Sequence, residues 1–391
     1  ELVQDVTVYQ SGRELAGAFG AVLTLRPGRD RDTAFAHVER AIESIARHGV
    51  SAQELERVQT RKVASFIYAL DNIGGFGGVA DRLNAYNIFL GDPARITSDV
   101  ERFQAVTPEQ IQQAAQTYVF HRPKVRLNVL GRGTVASSTS PAPDRSRAPN
   151  AGPPVVYRGP SPHVIPLRCG MALWTLVRTD LPMIAATAAF RAGGGTHGPE
   201  QGGLAKFTAN VMDEGTSRRD ARSIAEAAES MATSLYTSCG WDGGYVGFVG
   251  LSRFLQPSLD LATDLLARPN FPDDQFQRIR GQTLTALQAE HDSAEALAWR
   301  VLLRTIYGPG HPYHTTLDGS IPSVEALSRE DLIAFHSSRY RPDRGVWVVA
   351  GDVDPGVVAK HLDEMLGEGW TTQAPPASLD EEPPGTERRA P

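Results

Sequence analysis

The sequence predicts an α+β fold made of two related modules joined by a linker, and three observations carry this. A unit of capped helix, Arg-Pro turn, strand and glycine occurs twice, as TPEQIQQAAQTYVFHRPKVRLNVLG from Thr107 and SREDLIAFHSSRYRPDRGVWVVAG from Ser328. Within this repeat Thr107 corresponds to Ser328, Ile111 to Leu332 and Val125 to Val346 at one constant offset, as expected of two copies of one supersecondary unit. Amphipathic helical stripes alternate with short apolar runs of strand type on both sides of the chain's middle. Between them, from Arg132 to Pro166, the composition changes to Ser, Pro, Gly and Arg with little periodicity, which reads as an extended, solvated linker.

The elements follow in order. From Arg31 to His48 the apolar residues Phe35, Val38, Ile42 and Ile45 recur at helical spacing and predict an amphipathic helix with one buried stripe. Gly49 suits its C-terminal cap, and Ser51 with Glu54 three residues on is a capping box that starts the next helix. The stretch DNIGGFGGVADRL, from Asp71 to Leu83, enters a further amphipathic segment that stops at Gly91-Asp92-Pro93. Thr107 is an N-cap with Pro108 in the first helical position and Gln110 as the reciprocal acceptor, and KVRLNVLG alternates like a strand. Beyond the linker, HVIPLRCGMALWTLVR reads as two strands about a Cys-Gly turn, and MIAATAAFRAGGG as a third ending in glycines. Helical patterns cover Gly202 to Val211, Ser217 to Thr233, Leu255 to Ala267 and Asp273 to Tyr307. Ser328 with Asp331 is another capping box ahead of the last strand, and the Pro- and Glu-rich residues 372–391 read as linker or disorder.

Composition excludes several classes. At 391 residues the chain exceeds the usual size of one core, so about two domains are expected. A formal net charge of -6 carries no polycationic signature for nucleic acid or an anionic membrane surface. No run of about 18 apolar residues predicts a membrane span. The first residues, ELVQDVTVYQSGREL, lack the basic start and apolar stretch of a signal peptide, and Glu1 reads as a processed, engineered or fragment start. Two cysteines, Cys169 and Cys239, form neither a disulfide framework nor a four-cysteine zinc site.

The stretch MIAATAAFRAGGGTHGPEQGGLAKFTANVMDEGTSRRDARSIAEAAESMATSLY resembles the edge strand, catalytic helix and following helix of the pitrilysin/insulinase family of zinc metallopeptidases. That family also includes the mitochondrial processing peptidases and the core subunits of the respiratory bc1 complex. LLARPNFPDDQFQRIRGQTLTALQAEHDSAEALAWRVLLRTIYGPGHPY resembles the segment that carries the family's distal glutamate, and RYRPDRGVWVVAGDVD its closing strand. GVSAQELERVQTRK and AVTPEQIQQAAQTY are similar to pieces of the other kind of half-domain. The resemblance implies homologous half-domains, each an antiparallel sheet with helices on one face, four of which enclose a clam-shell chamber. On this reading residues 1–135 are an incomplete C-terminal half-domain of a first repeat and 136–154 the Pro/Ser-rich linker. Residues 155–371 are the N-terminal half-domain of a second repeat, and 372–391 a tail.

An inverted H-x-x-E-H helix works because its two histidines lie on one face and bind zinc, while the glutamate serves as general base for the zinc-bound water. The resemblance places these roles at Lys206, Ala209 and Asn210, where no histidine and no carboxylate stands, and the distal ligand at Ala286 within about two residues, with Glu290 the nearest carboxylate. A charged ammonium donates no lone pair, so Lys206 is better used in an ion pair, with Glu290 as the candidate partner. No metal site and no catalytic residue are therefore expected in this chain, and zinc only in an upstream half-domain with an intact motif.

Other features have simpler readings. His311 and His314 in GPGHPYH are interrupted by Pro312 and read as a capped loop packed by Tyr313. His291 in AEHDS joins His311 and His314 as a metal-site candidate to which the packed loop is preferred, His163, His197 and His336 read as surface or hydrogen-bonded histidines, and the thiols read as free. SCGWDGG, Ser238 to Gly244, lacks phosphate-loop spacing and reads as a strand-end turn. Arg339-Tyr340 reads as packing. The residues before Ala80 read as helix entry through a glycine hinge in preference to a chamber-facing loop. The remaining candidate for function is backbone: Ala188, Phe190, Gly193, Gly194 and Gly195 end the strand expected at the edge, where extended peptide would bind by strand addition; ordinary sheet termination is the competing reading.

The expectation is thus a non-catalytic part of a zinc metalloendopeptidase of bacterial type, forming chamber wall and contacting peptide. Its partners would be peptide substrate and the remaining half-domains of the parent chain or a homologous subunit; the sequence does not fix the compartment, and a bacterial periplasm is only a guess. The alternative is a catalytically dead scaffold or partner subunit of such a peptidase or of a core-protein-like complex.

Overall fold

Capping chemistry places most helix ends. The computed structural model of the chain describes residues 2–12, 15–26, 29–129, 159–290, 293–308, 310–314, 316–367 and 370. The chain divides into two compact units, Glu1–Glu56 with Gln104–Gly159, and Arg57–Phe103 with Pro160–Pro391. The domain boundaries expected near residues 135 and 155, and the tail from 372, lie outside the described residues.

In the first unit β1 (Val3–Gly12) and β2 (Gly17–Leu25) form an antiparallel hairpin, followed by α1 (Arg31–His48). Asp30 caps α1 by accepting from Thr33 N, and Gly49 closes it at φ 74°, a left-handed value that favours glycine. α2 (Ala52–Leu70) begins in this unit at the Ser51–Glu54 capping box, in which Ser51 N donates to Glu54 Oε2 at 2.8 Å. From Arg57 α2 belongs to the second unit, as do α3 (Val79–Leu90), with Gly78 as its N-cap, and α4 (Asp99–Gln104) up to Phe103; the first unit resumes at Gln104. α5 (Pro108–Ala114) starts at the Thr107–Gln110 capping box and runs into a π-helical turn, Ala115–Phe120. There Gln112 and Gln116 donate to the otherwise open carbonyls of Arg47 and Ala46 at the end of α1, at 2.8 and 2.6 Å.

The expected strand KVRLNVLG is not formed among its described residues, 124–129. Residues 124–129 have no regular structure, and Val125, Leu127 and Val129 are 97%, 78% and 86% exposed. Alternation alone does not make a strand; its backbone groups need a paired neighbour. The β1–β2 pairing does not extend to these residues.

The second unit holds a six-stranded sheet in the order β3-β4-β8-β5-β7-β6. Its strands are β3 (His163–Pro166), β4 (Ala172–Val177), β5 (Met183–Phe190), β6 (Ser234–Cys239), β7 (Gly244–Leu251) and β8 (Gly345–Gly351). Four of the neighbouring pairs are antiparallel, but β4 and β8 run parallel, which is possible because the whole helical segment lies between them in sequence. The helices are α6 (Leu204–Met212), α7 (Ala221–Ser230), α8 (Leu255–Ala267), α9 (Asp273–Glu290), α10 (Ala294–Ile306), α11 (Ile321–Ala326), α12 (Arg329–Arg339) and α13 (Pro355–Leu366). The pattern that reads as one helix from Asp273 to Tyr307 is two, because Ser293 caps α10 by accepting from Ala296 N.

Period-two alternation sends Ile184, Ala186, Ala188 and Phe190 of β5 to one face, where they join Leu173, Val246, Phe248, Trp347 and Val349. The helices cover this face with Phe207, Val211, Leu259, Leu265, Phe276, Leu332, Val358 and Leu362. The result is an α+β unit with its helices on one side of the sheet and its core between.

Candidate functional site

α6 packs its apolar stripe into this core: Leu204, Phe207 and Val211 are buried, and the Phe207 ring meets Phe276 of α9 edge-on at 5.4 Å. This contact sets α6 beside α9 and leaves a cavity of about 400 Å³ between them. Its walls bring together three of the four positions singled out in the sequence, Lys206 and Asn210 from α6 and Ala286 from α9, with Glu290 at the end of α9. Ala209 is fully buried instead, and its carbonyl accepts from Thr237 Oγ1 of β6 at 2.8 Å.

Lys206 does not pair with Glu290. Its ammonium donates to Asp318 Oδ1 at 2.5 Å, while Glu290 is held by Arg300 at 2.6 Å. The loop carrying Asp318 reaches α6 through two glycines at positive φ. A Cβ on Gly203 (φ +95°) would lie 2.8 Å from the Asp318 carbonyl oxygen, and one on Gly319 (φ +79°) 2.3 Å from that of Gly202. Only glycine permits this approach, and it is what puts a carboxylate against Lys206.

Two further acids line the cavity where α6 ends, Asp213 and Glu214. Glu214 pairs with Arg278 of α9 at 2.5 Å. Asp213 has no cation paired with it among the described residues, and burial, with a smaller contribution from the neighbouring Glu214 charge, pushes its carboxyl up to about 6. Sequence reasoning missed Asp213, Glu214 and Asp318. The first two did leave a signal, since acidic residues at a helix C-terminus oppose its dipole.

The donor set does not fit zinc. The ligand positions hold an ammonium already engaged by a carboxylate, a carboxamide and a methyl group, where zinc sites use imidazole, thiolate or carboxylate. Among the described residues no group of three His, Cys, Asp or Glu side chains could hold a metal ion.

The edge-strand assignment of the backbone candidates is corrected. β5 lies inside the sheet, paired with β7 on one side and β8 on the other, so Ala188 and Phe190 have no free backbone edge. Gly193, Gly194 and Gly195 follow in a tight turn against Trp241, whose carbonyl oxygen would lie 2.2 Å from a Cβ on Gly193. The small residues there answer to close packing within the unit. The edge strands are instead β3 and β6; β6 is paired with β7 on one side, and its Thr237 lines the cavity.

The other candidates are structural in their contacts. His311 stacks on Tyr307, Tyr313 meets both rings edge-on, and His314 Nδ1 bonds the Tyr307 carbonyl at 2.8 Å. His336 is half-buried and donates from Nε2 to the Leu266 carbonyl at 2.9 Å, and the loss of solvent around its ring lowers its pKa to about 4. Arg339 bonds the Thr196 carbonyl, Tyr340 is buried, and His197 stands against Phe335. His163 is exposed on β3, and His291 lies outside the described residues. Both thiols are free, and burial raises the pKa of each, that of Cys239 to about 11, which leaves no thiolate nucleophile. Residues 240–243 form the turn between β6 and β7.

No protein-family model matches the chain. It is 26% identical over 186 residues to the non-peptidase homolog YmxG of Helicobacter pylori, covering 48% of this chain and 43% of that protein. It is 28% identical over 178 residues to an uncharacterized zinc protease of Mycobacterium leprae, covering 44% and 40%. Among solved structures, the peptidase M16 inactive domain from Pseudomonas fluorescens has the same fold at a TM-score of 0.52 and 23% identity, covering 57% of this chain and 54% of that one. The chain therefore spans about half, or less, of the proteins it matches. The likeness is to the zinc-protease family and, within it, to inactive domains and a non-peptidase homologue.

Proposed function

We propose that this chain is a non-catalytic portion of a zinc metalloendopeptidase of the pitrilysin/insulinase type, forming chamber wall and contacting extended peptide substrate. One observation carries the reading: Lys206, Asn210 and Ala286 converge on a single cavity with no zinc donor at any of them. A helix pair keeps such an arrangement when its packing still matters and its chemistry does not. Zinc and the general base would belong to another half-domain, in the same polypeptide or in a homologous partner subunit. Peptide would reach the cavity along β6, one of the sheet's two terminal strands, by adding a strand to the edge that is unpaired among the described residues.

A second reading, a catalytically dead scaffold or partner subunit, is favoured by the similarity to a non-peptidase homologue. Titration with labelled unstructured peptides in the presence of a chelator separates the two. Saturable binding without cleavage supports a substrate-contacting wall, whereas no binding at any accessible concentration leaves the scaffold. Zinc-dependent cleavage by the chain alone would contradict both.

A further inference from the structure

We propose that the cavity between α6 and α9 binds the basic side chain, lysine or arginine, of an extended peptide lying along β6, with the Asp213 carboxylate as its partner. The inference rests on the peptide-contacting wall proposed above and adds the class of residue recognised.

Four carboxylates line this cavity, and three already have a cation: Asp318 holds Lys206 at 2.5 Å, Glu214 holds Arg278 at 2.5 Å and Glu290 holds Arg300 at 2.6 Å. Among the described residues Asp213 is the one left over. It is largely withdrawn from water, and Arg278, which acts on it through space, is committed to Glu214. A part-buried carboxylate without a partner is costly, and an entering cation would relieve it through a charge-assisted hydrogen bond.

The remaining lining suits the rest of such a side chain. Ile279, Ala286 and Leu287 give an apolar wall along α9 that can cover methylene groups. The volume, about 400 Å³, falls in the range of small-ligand pockets, roughly 300 to 1,000 Å³. Thr237 brings β6 to the cavity wall, so alternate side chains of a strand added there would face the same side as Thr237.

The test compares two labelled eight-residue peptides, one with a central arginine and the other with norleucine in its place, by fluorescence anisotropy at pH 7.5. The arginine peptide is expected to bind roughly tenfold more tightly, the equivalent of one charge-assisted contact. Asp213→Asn should abolish that preference, the two peptides then binding alike. Should that variant fail to fold, Thr283→Arg, which brings a guanidinium into the cavity from α9, should abolish the preference in its place. Equal binding of both peptides by the unaltered protein, or a preference that survives in a folded variant, overturns the inference and leaves the wall reading intact. Binding of neither peptide overturns the wall reading as well.

Discussion

Replacing Phe207 by alanine tests whether α6 survives as a packing element. Phe207 is 2% exposed and its ring sits edge-on to Phe276 at 5.4 Å, so the change removes a buried aromatic ring and its partner contact together. Truncations of this kind cost about 3 to 5 kcal/mol, of which the ring pair accounts for about 1 kcal/mol. With a urea slope of about 3 kcal/mol per molar, a loss of about 4 kcal/mol moves the midpoint down by roughly 1.3 M. Tryptophan fluorescence reads this selectively, because all five tryptophans, Trp174, Trp241, Trp299, Trp347 and Trp370, belong to the second unit. Lys206→Ala is the internal comparison. Its ion pair with Asp318 is 36% exposed on both sides, so its loss should cost at most about 1 kcal/mol. A negligible midpoint shift for Phe207→Ala, or a shift for Lys206→Ala of equal size, would refute the view that the helix is held by its apolar stripe.

Two titrations follow from burial. The Asp213 carboxyl, at about 6 in the folded protein against an ordinary value of 3.8, holds its proton more tightly when folded; its contribution is complete below about 4 and is lost as pH rises through about 6. Asp213→Asn should therefore flatten the fall in stability across that window, by up to about 3 kcal/mol, in urea melts taken at successive pH values. Glu214 and Arg278, which act on the group in opposite senses, stay in place in that comparison. His336 titrates in the opposite sense: held neutral at about 4 against an ordinary 6.5, it stabilises above 6.5, and that stability is lost as pH falls toward 4. His336→Gln should remove this acid-side loss in the same melts.

Local chemistry was the most legible part of the chain. The capping boxes at Ser51, Thr107 and Ser328 all form, because each depends on side chains three residues apart. The span of α1 and that of α8 match their apolar periodicity. That Ala286 lines one cavity with Lys206 and Asn210 has no local sign in the sequence, since about 76 residues separate it from Asn210 and the two helices meet through packing such as that of Phe207 on Phe276. Strand order was not legible. Small residues at the end of β5 suit an exposed edge and a closely packed interior equally well, and only pairing with β7 and β8 decides between them. The partner of Lys206 was hidden for a similar reason. Asp318 reaches it through a loop whose approach depends on Gly203 and Gly319, and no periodicity encodes that.

The central claim is that the α6–α9 cavity keeps the placement of a metal centre after losing its donors. Zinc stoichiometry, measured by equilibrium dialysis and atomic absorption, tests it most directly on the unaltered chain and on a variant carrying Lys206→His, Asn210→His and Ala286→Glu. The account predicts no stoichiometric zinc in the first and about one zinc per chain in the second, as three protein ligands on one cavity allow. Stoichiometric zinc in the unaltered chain, or a folded variant that binds no more than its parent, would contradict it.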